Sequence, residues 1–341
     1  MRRPREGTRI YFWTPLSVPD GLDVWHPDNE PFLFADGRGH AFYELYARMR
    51  LAGLAVSIGR NVPDDADVVI VFAKDLSMRN SLSFVVSAAH VPCLLIESDW
   101  PPSFMIPVDA AVIVRSNTNS VTSSTEIAIP LLPQRGLIPR GTDRRGFVRT
   151  VGYKGDPNQA PSFLRTQHFT EKLDQMGLTF NYADLGDARA RWHDFSDTDV
   201  VLCMRSVELP TSHKPPTKLI NAWAAHCIPL TGPEPAYLEL VTDRQTGLIV
   251  RDEATVVNAL RELQASPALR RTLEDGIAQK ARKFNRDQIL GEWIEAAARA
   301  AESGRRPRAR AFWVGMLVWV RAQVVNLHYR GRRRLCIRGQ R

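Results

Sequence analysis

The sequence is 341 residues long, which exceeds the size at which one hydrophobic core normally keeps growing, so two domains are expected. With 44% hydrophobic and 24% charged residues, the composition excludes a largely disordered or fibrous protein. The net charge is +8, and its positive excess lies in residues 303–341, which contain eleven arginines and no Asp, Glu or Lys. Without these eleven charges, residues 1–302 have a net charge of −3. A general affinity of residues 1–302 for polyanions is therefore excluded.

The first part of the chain alternates strand-like and helix-like patterns. A helix is predicted over residues 40–52, where apolar residues recur at helical spacing and Gly53 provides a stop. Strands are predicted at 8–14, 54–59, 67–73, 91–97, 110–115 and 126–132. Several of these strands are continuously apolar, which favours a parallel sheet covered by helices on both faces.

A segment rich in Pro and Gly at residues 130–145 interrupts this alternation, which then restarts. Further strands are predicted at 146–153, 178–182, 199–204, 227–230 and 248–250, and helices at about 163–176, 217–225, 253–264, 267–284 and 286–301. Two successive arrays of this kind predict an α/β protein of two doubly wound, Rossmann-like domains that face a cleft. The predicted divisions are residues 1–135, 136–285, a closing helix at 286–303 and an Arg-rich tail at 304–341.

The cysteines indicate a reducing compartment. Cys93, Cys203, Cys227 and Cys336 show no paired spacing of a zinc site or redox motif, and the first three lie in or beside apolar runs. The N-terminal residues lack the apolar run of a secretory signal, and a cytoplasmic protein is therefore expected.

Several common catalytic motifs are missing from the sequence. There is no Gly-x-Gly-x-x-Gly after a strand, no Walker phosphate loop and no Gly-x-Ser-x-Gly elbow, which disfavours dinucleotide oxidoreductases, P-loop enzymes and hydrolases of that architecture. The eight histidines show no metal-ligand spacing, so no metal site is expected.

The most informative segment is residues 205–250. Arg205 directly follows a buried strand, and Lys214 and Lys218 flank the Pro-Pro-Thr start of a predicted helix. A helix N-terminus with two cations within a turn suits a diphosphate, and Asn221, one turn later, could reach a ribose hydroxyl.

Four stretches resemble glycosyltransferases of the GT-B fold, and in particular uncharacterised bacterial members of the retaining, family-4-like group. KPPTKLINAWAAHCIPLTGPEPAYLELVTDRQTGLIV is similar to their donor-binding half, FADGRGHAFYELYARMRLAGLAVSIG to the glycine loop and first helix of the acceptor domain, and RWHDFSDTDVVLCMRS to a segment of the second domain. The fourth stretch is the linker IPLLPQRGLIPRGTDRRGFVRTVGYKGDPN. The resemblance covers about residues 8–300. It implies a nucleotide-sugar donor, a glycan or lipid-linked acceptor, and no metal or other cofactor.

Position along the predicted elements and the resemblance together indicate roles for particular residues. Asp99, just after the strand that ends at Glu97, is the candidate general base, and His40, at the start of the first helix, is a second catalytic candidate. By resemblance, Gly37 and Gly39 belong to the acceptor side. The candidate donor-binding residues are Gly152, Lys154, Arg205, Lys214, Thr217, Lys218, Asn221, Glu234, Tyr237 and Glu239.

The chain departs from the family pattern at two informative positions. Where retaining members carry two glutamates that hold the donor, this sequence has His213 and Asn221. The anomeric outcome therefore stays open, and two other functions remain as alternatives: a non-catalytic nucleotide-sugar or glycan-binding protein, and a nucleotide-sugar epimerase.

The basic C-terminal segment is a separate feature. Residues 311–320 are continuously apolar, about half the length that spans a bilayer, and continue with helical spacing towards Leu327. Apolar and aromatic residues among arginines predict a helix at an anionic membrane surface; the alternative is a helix packed on the body or on a partner. Nucleic acid is disfavoured as a ligand because the rest of the chain is acidic.

Overall fold

The computed structural model describes residue 5 and residues 7–29, 37–76, 78–97, 108–184, 191–206 and 214–338. The chain divides into two compact units. Unit 1 comprises Met1–His26, Asp36–Ile129 and Leu290–Arg341, and unit 2 comprises Pro27–Ala35 and Pro130–Ile289.

Unit 1 is built on a parallel sheet of six strands. In chain order its elements are β1 (Arg9–Trp13), a π-helical turn (Gly39–Tyr43), α1 (Glu44–Leu51), β2 (Ala55–Gly59), β3 (Val68–Phe72), α2 (Met78–Ala88), β4 (Cys93–Glu97), β5 (Val112–Arg115) and β6 (Glu126–Ala128). The strand order is β2-β1-β3-β4-β5-β6. All five residues of β3 are buried, as are those of β4, because both faces of these central strands are covered.

Unit 2 is built on a parallel sheet of five strands in the order β11-β10-β9-β7-β8. Its elements are β7 (Thr150–Gly155), α3 (Gln167–Gln175), β8 (Thr179–Asp184), β9 (Val200–Cys203), α4 (Thr217–Ala224), β10 (Ile228–Thr231), α5 (Pro235–Leu238), β11 (Leu248–Ile249), α6 (Glu253–Ala265) and α7 (Pro267–Lys283). Trp223 on α4 is fully buried, donates from Nε1 to the carbonyl of Thr246 at 2.7 Å and stacks on Phe284 at 5.5 Å.

Two helices end the chain. Residues of α8 (Arg286–Glu302) belong to both units, and α9 (Arg308–Arg338) belongs to unit 1. Gly315 allows α9 to approach α2 closely, since a Cβ there would lie 2.9 Å from Val85. Trp319 donates to Oγ of Ser81 at 3.0 Å, and Met316 and Trp319 pack on the unit 1 core. One face of the predicted C-terminal helix is therefore part of the fold.

All the strands predicted from the sequence are present, and this confirms the α/β class. Strand β6 ends earlier than predicted because Pro130 lacks the N–H needed to continue a ladder. Helix α2 was not predicted. Its serines have modest helix propensity and separate its apolar residues, so the helical spacing of the buried Phe84 and Val85 is hard to recognise.

A buried carboxylate fixes the segment that precedes β7. Asp199 is fully buried and accepts hydrogen bonds from Nε of Arg140 at 3.1 Å and from Arg144 at 3.0 and 2.7 Å. It also accepts from the backbone N–H groups of Arg149 and Thr150 at 2.8 and 3.0 Å. The start of β7 is thus held to the start of β9.

Replacement of Asp199 by Ala should lower the free energy of unfolding by about 3–5 kcal/mol, because the buried guanidinium of Arg140 keeps only the ion pair with Glu274 and the N–H groups of Arg149 and Thr150 lose their acceptor. Denaturant titration measures this change. The exposed Asp197 gives the matched control, and Asp197→Ala should change stability by about 0.5 kcal/mol or less. Equal losses in the two variants would show that the ion-pair network does not hold the segment.

Candidate functional site

The chain reverses its direction of winding at the junction of β7 and β9. From β7 it proceeds to β8 on one side of the sheet, and then crosses to β9 on the other side of β7. In open parallel sheets such a switch point leaves a crevice at the carboxyl ends of the strands, where ligands bind. The loops after β7 and β9 both leave the sheet here.

A cavity of about 180 Å³ lies at this switch point, entirely within unit 2. Its lining residues come from the ends of β7 and β9, the start of α4 and neighbouring loops: Gln134, Lys154, Gly155, Asp156, Gln159, Trp192, Phe195, Val201, Arg205, Thr217, Lys218 and Asn221. Five of the ten predicted donor-binding residues are among them, namely Lys154, Arg205, Thr217, Lys218 and Asn221.

Lys218 lies at the start of α4 with its ammonium group withdrawn from solvent. Its Nζ donates to Oη of Tyr153 at 2.6 Å and lies 4.0 Å from the centre of that ring. Burial, and then repulsion from Arg205, lower the pKa of Lys218 from 10.5 to about 7. Gly155 permits this arrangement, because a Cβ there would lie 2.8 Å from Nζ. The amine is therefore near its titration point at neutral pH.

Arg205 is the second cation of the cavity. It donates from Nη2 to the carbonyl of Pro215 at 3.1 Å and lies 5.3 Å from the ring centre of the buried Tyr237. The carboxylate of Glu234 is 3.9 Å from Nη1, and burial raises the pKa of Glu234. Glu234 and Tyr237 thus pack around Arg205 and do not line the cavity themselves.

Lys154 is the third cation. Its Nζ donates to the carbonyl of Asp194 at 2.6 Å and lies 4.8 Å from the ring centre of Phe195. Burial lowers the pKa of Lys154 as well. Three basic side chains thus share one small concavity, which makes it a strong candidate for binding an anion.

Asn221, a predicted donor-binding residue, is paired with a neighbouring amide. Its Oδ1 accepts from the backbone N–H of Gln134 at 2.8 Å, and its Nδ2 lies 3.4 Å from Oε1 of Gln134. An uncharged amide pair therefore lines this wall of the cavity.

The other predicted donor-binding residues lie elsewhere. Gly152 is inside β7, where a Cβ would meet the side chain of Thr198 at 2.8 Å. Lys214 is half-buried and Glu239 follows α5, and neither lines the cavity. His213 and the candidate base Asp99 lie outside the described residues.

The corresponding switch point of unit 1 lies between β1 and β3. Gly37, Gly39 and His40 follow β1, and Nδ1 of His40 lies 3.1 Å from the buried carboxylate of Glu44. Asp75 follows β3, forms an ion pair with Arg38, and its pKa is raised by burial. A polar cluster therefore occupies the edge that carries the predicted acceptor-side residues.

The sequence analysis did not identify several residues of the unit 2 cavity. Trp192 is buried and also lines the cavity, with the guanidinium carbon of Arg135 4.8 Å from its ring centre. Asp156 and Gln159 follow β7 directly, so position after a strand could have identified them. Gln134 lies in the loop before β7 and carries no such signal.

Within the part of the chain that the structure describes, no three His, Cys, Asp or Glu side chains come together as a metal site. The cysteines at 93, 203 and 227 are buried free thiols, and burial raises the pKa of each. They pack as small apolar side chains.

Comparison with known proteins gives a likeness of fold. No protein-family model matches the sequence, and a search of curated proteins gives no match. HepE from Anabaena, solved with UDP-glucose, matches 84% of this chain and 98% of its own at a TM-score of 0.53 and 10% identity. Sucrose-phosphate synthase from Thermosynechococcus elongatus matches 87% of this chain and 100% of its own at a TM-score of 0.54 and 13% identity.

A glycosyltransferase from Rickettsia africae matches 87% of this chain and 99% of its own at a TM-score of 0.52 and 8% identity. The chain thus has the fold of known glycosyltransferases over most of its length. This confirms the GT-B-like fold class expected from the sequence.

Replacement of Lys218 by Met should make stability less dependent on pH. Between pH 7 and 9 the folded amine is largely neutral while the unfolded amine is protonated, so the unfolded state binds more protons and the unaltered chain gains stability as pH rises. The stability difference between the unaltered chain and Lys218→Met should therefore shift by about 2 kcal/mol in favour of the unaltered chain over this range. Denaturant titration at pH 7, 8 and 9 measures it.

The control is Lys172→Met, which removes a lysine of α3 that is partly exposed and paired with Glu253. Its stability difference from the unaltered chain should stay level over the same range. A level difference for Lys218→Met too would mean that the Lys218 amine keeps an ordinary pKa.

Proposed function

We propose that the protein is a glycosyltransferase that moves a sugar from a nucleotide-activated donor to an acceptor hydroxyl. The observation that carries the proposal is the convergence of Lys154, Arg205 and Lys218 on one cavity at the switch point of unit 2. The likeness of fold to HepE, which was solved with UDP-glucose, supports a nucleotide-sugar donor. The resemblance to the family-4-like group stays a prediction.

In this proposal the cavity holds the diphosphate of the donor. The N–H groups at the start of α4 and the three cations face the phosphate oxygens, while Trp192 offers an aromatic surface to the nucleotide. When the bond between the sugar carbon and the diphosphate oxygen breaks, negative charge grows on the leaving diphosphate. Cations fixed in a low-dielectric cavity stabilise that charge.

The acceptor oxygen forms the new bond to the sugar carbon and loses its proton to a base. We assign this side of the reaction to unit 1, with Asp99 as the proposed base and His40 as the second catalytic candidate. The buried carboxylate of Glu44 orients the His40 ring. Metal-independent transfer belongs to the same proposal.

Replacement of Lys218 by Met should lower the affinity for UDP-glucose at least tenfold, because a charge-assisted contact to the diphosphate is lost. Isothermal titration calorimetry at pH 7 measures it, with Lys172→Met as the control that binds normally.

Binding should also raise the pKa of Lys218, so titration at pH 8 in buffers of different ionisation enthalpy should show uptake of about one proton. If no nucleoside diphosphate or UDP-sugar binds, or if Lys218→Met binds as the unaltered chain does, the donor assignment is wrong.

Turnover separates the enzyme from its two alternatives. Incubation with nucleotide sugars and candidate acceptors should consume donor only when an acceptor is present, and His40→Asn should keep donor binding while it loses turnover. Binding without consumption would favour a non-catalytic binding protein. Conversion of one nucleotide sugar into another without an acceptor would favour an epimerase.

We further propose that the protein acts at an anionic membrane surface on its cytoplasmic side. In the described part of the chain no helix combines the length and apolarity needed to cross a bilayer. The outer face of α9, however, exposes Trp313, Leu317, Val320 and Val324 at helical spacing, with Trp313 67% and Leu317 71% exposed. We call these four residues the α9 stripe. Apolar exposure of this kind within a segment of eleven arginines supports contact with anionic lipid.

Removal of residues 304–341 would uncover the unit 1 core beneath Met316 and Trp319, so point variants give the sharper test. The full chain should float with vesicles that contain phosphatidylglycerol and not with pure phosphatidylcholine. The double variant Trp313→Ser/Leu317→Ser should bind at least tenfold more weakly because it removes apolar area from the interface. Val24→Ser, which changes an exposed apolar residue elsewhere in unit 1, is the control. Equal flotation of the double variant and the control would contradict the proposal.

A further inference from the structure

A second cavity of about 230 Å³ lies between α2 and α9, within unit 1. We call it the α2–α9 groove; it is lined by Val85, Val86, Ser87, Ala89, His90, Arg308 and Phe312. Four of these seven residues are aliphatic or aromatic, and the other three, Ser87, His90 and Arg308, are polar. The groove is therefore amphipathic, with a cationic and an apolar portion.

The cationic portion is positioned by the connection between α8 and α9. The backbone N–H of Arg306 donates to the carbonyl of His90 at 3.1 Å, and Arg306 itself is paired with Asp109. Arg308 is paired with Asp64, but both side chains are mainly exposed, so this ion pair is weak and can exchange for another anion. Burial, Arg308 and Arg305 together lower the pKa of His90 against the smaller opposing effect of Asp64. An anion beside Arg308 would thus enter a positive environment.

The apolar portion continues onto the surface. Val86, at the rim of the groove, is 62% exposed, and Phe312 packs edge-on against Trp313 of the α9 stripe with 5.4 Å between ring centres. A cavity of this volume is smaller than a site that encloses a whole drug-sized molecule. It suits the part of an amphiphile where its head joins its chain, with the rest of the chain lying on the exposed stripe.

We propose that the α2–α9 groove binds a single anionic lipid, with its phosphate beside Arg308 and His90 and its first methylenes along Val85, Val86 and Phe312. The site deepens the proposed membrane association by giving it a specific ligand. Charge complementarity and the continuity of groove and stripe favour a lipid phosphate over a free anion, which would leave the apolar walls unused.

The test uses octyl phosphate below its micellar concentration, so that no bilayer is needed. Calorimetric titration of the full chain should show binding of octyl phosphate and no detectable binding of inorganic phosphate. Hexyl phosphate should bind about fifteenfold more weakly than octyl phosphate, since it lacks two methylenes and each buried methylene contributes about fourfold. Ser87 is an exposed residue of the groove lining, and Ser87→Trp should fill the groove and weaken octyl phosphate binding at least tenfold. Ser83→Trp, the same change one turn earlier on an exposed position of α2, should bind as the unaltered chain does.

Two further readouts tie the ligand to the cationic portion. Arg308→Gln should weaken octyl phosphate binding several-fold, and bound octyl phosphate should raise the pKa of His90 in a proton NMR titration, since an anion there offsets Arg308 and Arg305. Absence of octyl phosphate binding, equal affinity for inorganic phosphate, or equal binding by Ser87→Trp and Ser83→Trp would each overturn the groove proposal. Flotation depends on the α9 stripe and the donor titration on unit 2, so a failure here is distinguishable from a failure of either proposed function.

Discussion

The crowding of positive charge in a buried cavity is the constraint on which the candidate site of unit 2 depends. Lys218 and Arg205 are both withdrawn from water. The carboxylate of Glu234, which packs behind Arg205, is 3.9 Å from its Nη1, and burial raises the pKa of Glu234. The buried Lys218 amine is consequently near its titration point at pH 7. An empty cavity of this kind lowers the stability of the fold, because the buried cations have no anionic partner. A bound anion stabilises the folded state and favours the protonated form of Lys218. The arrangement therefore lowers the stability of the fold and at the same time makes the cavity selective for anions.

Parallel topology explains why residues far apart in sequence meet there. Lys154 lies at the end of β7 and Asp156 follows it, while Arg205 follows β9 and Lys218 is in the first turn of the next helix. Only the crossover from β8 to β9 brings these loops together, at the one place in this sheet where winding reverses. Unit 1 repeats the principle with different chemistry. At its switch point Arg38 pairs with the buried carboxylate of Asp75, and Nδ1 of His40 lies 3.1 Å from the buried carboxylate of Glu44. That edge therefore offers oriented polar groups where unit 2 offers excess positive charge.

The sequence predicted the sheets well because a buried parallel strand is a continuous apolar run, and runs such as residues 68–72 and 200–203 have few other interpretations. It predicted the cations of the cavity because each follows a strand or starts a helix. It could not predict Gln134, since a loop residue that pairs with Asn221 across 87 positions leaves no local pattern. Nor could it separate Lys214 from Lys218. Both flank the same helix start, and only the packing of α4 on β7 and β9 decides which of them enters the cavity.

Charge and hydropathy alone are compatible with two placements of the C-terminal segment, a helix at a membrane surface and a helix packed on the body of the protein. The structure combines the two. Ala311, Gly315 and Ala322 bring one face against unit 1, which leaves Trp313 and Leu317 on the other. Arg305 and Arg306 are meanwhile bound to the carbonyl of Ala66 and the carboxylate of Asp109. These arginines fix the start of the helix rather than forming a freely available basic patch. A helix held this firmly presents its apolar stripe in one orientation, and such pre-organisation lowers the entropy cost of contact with any flat, anionic surface.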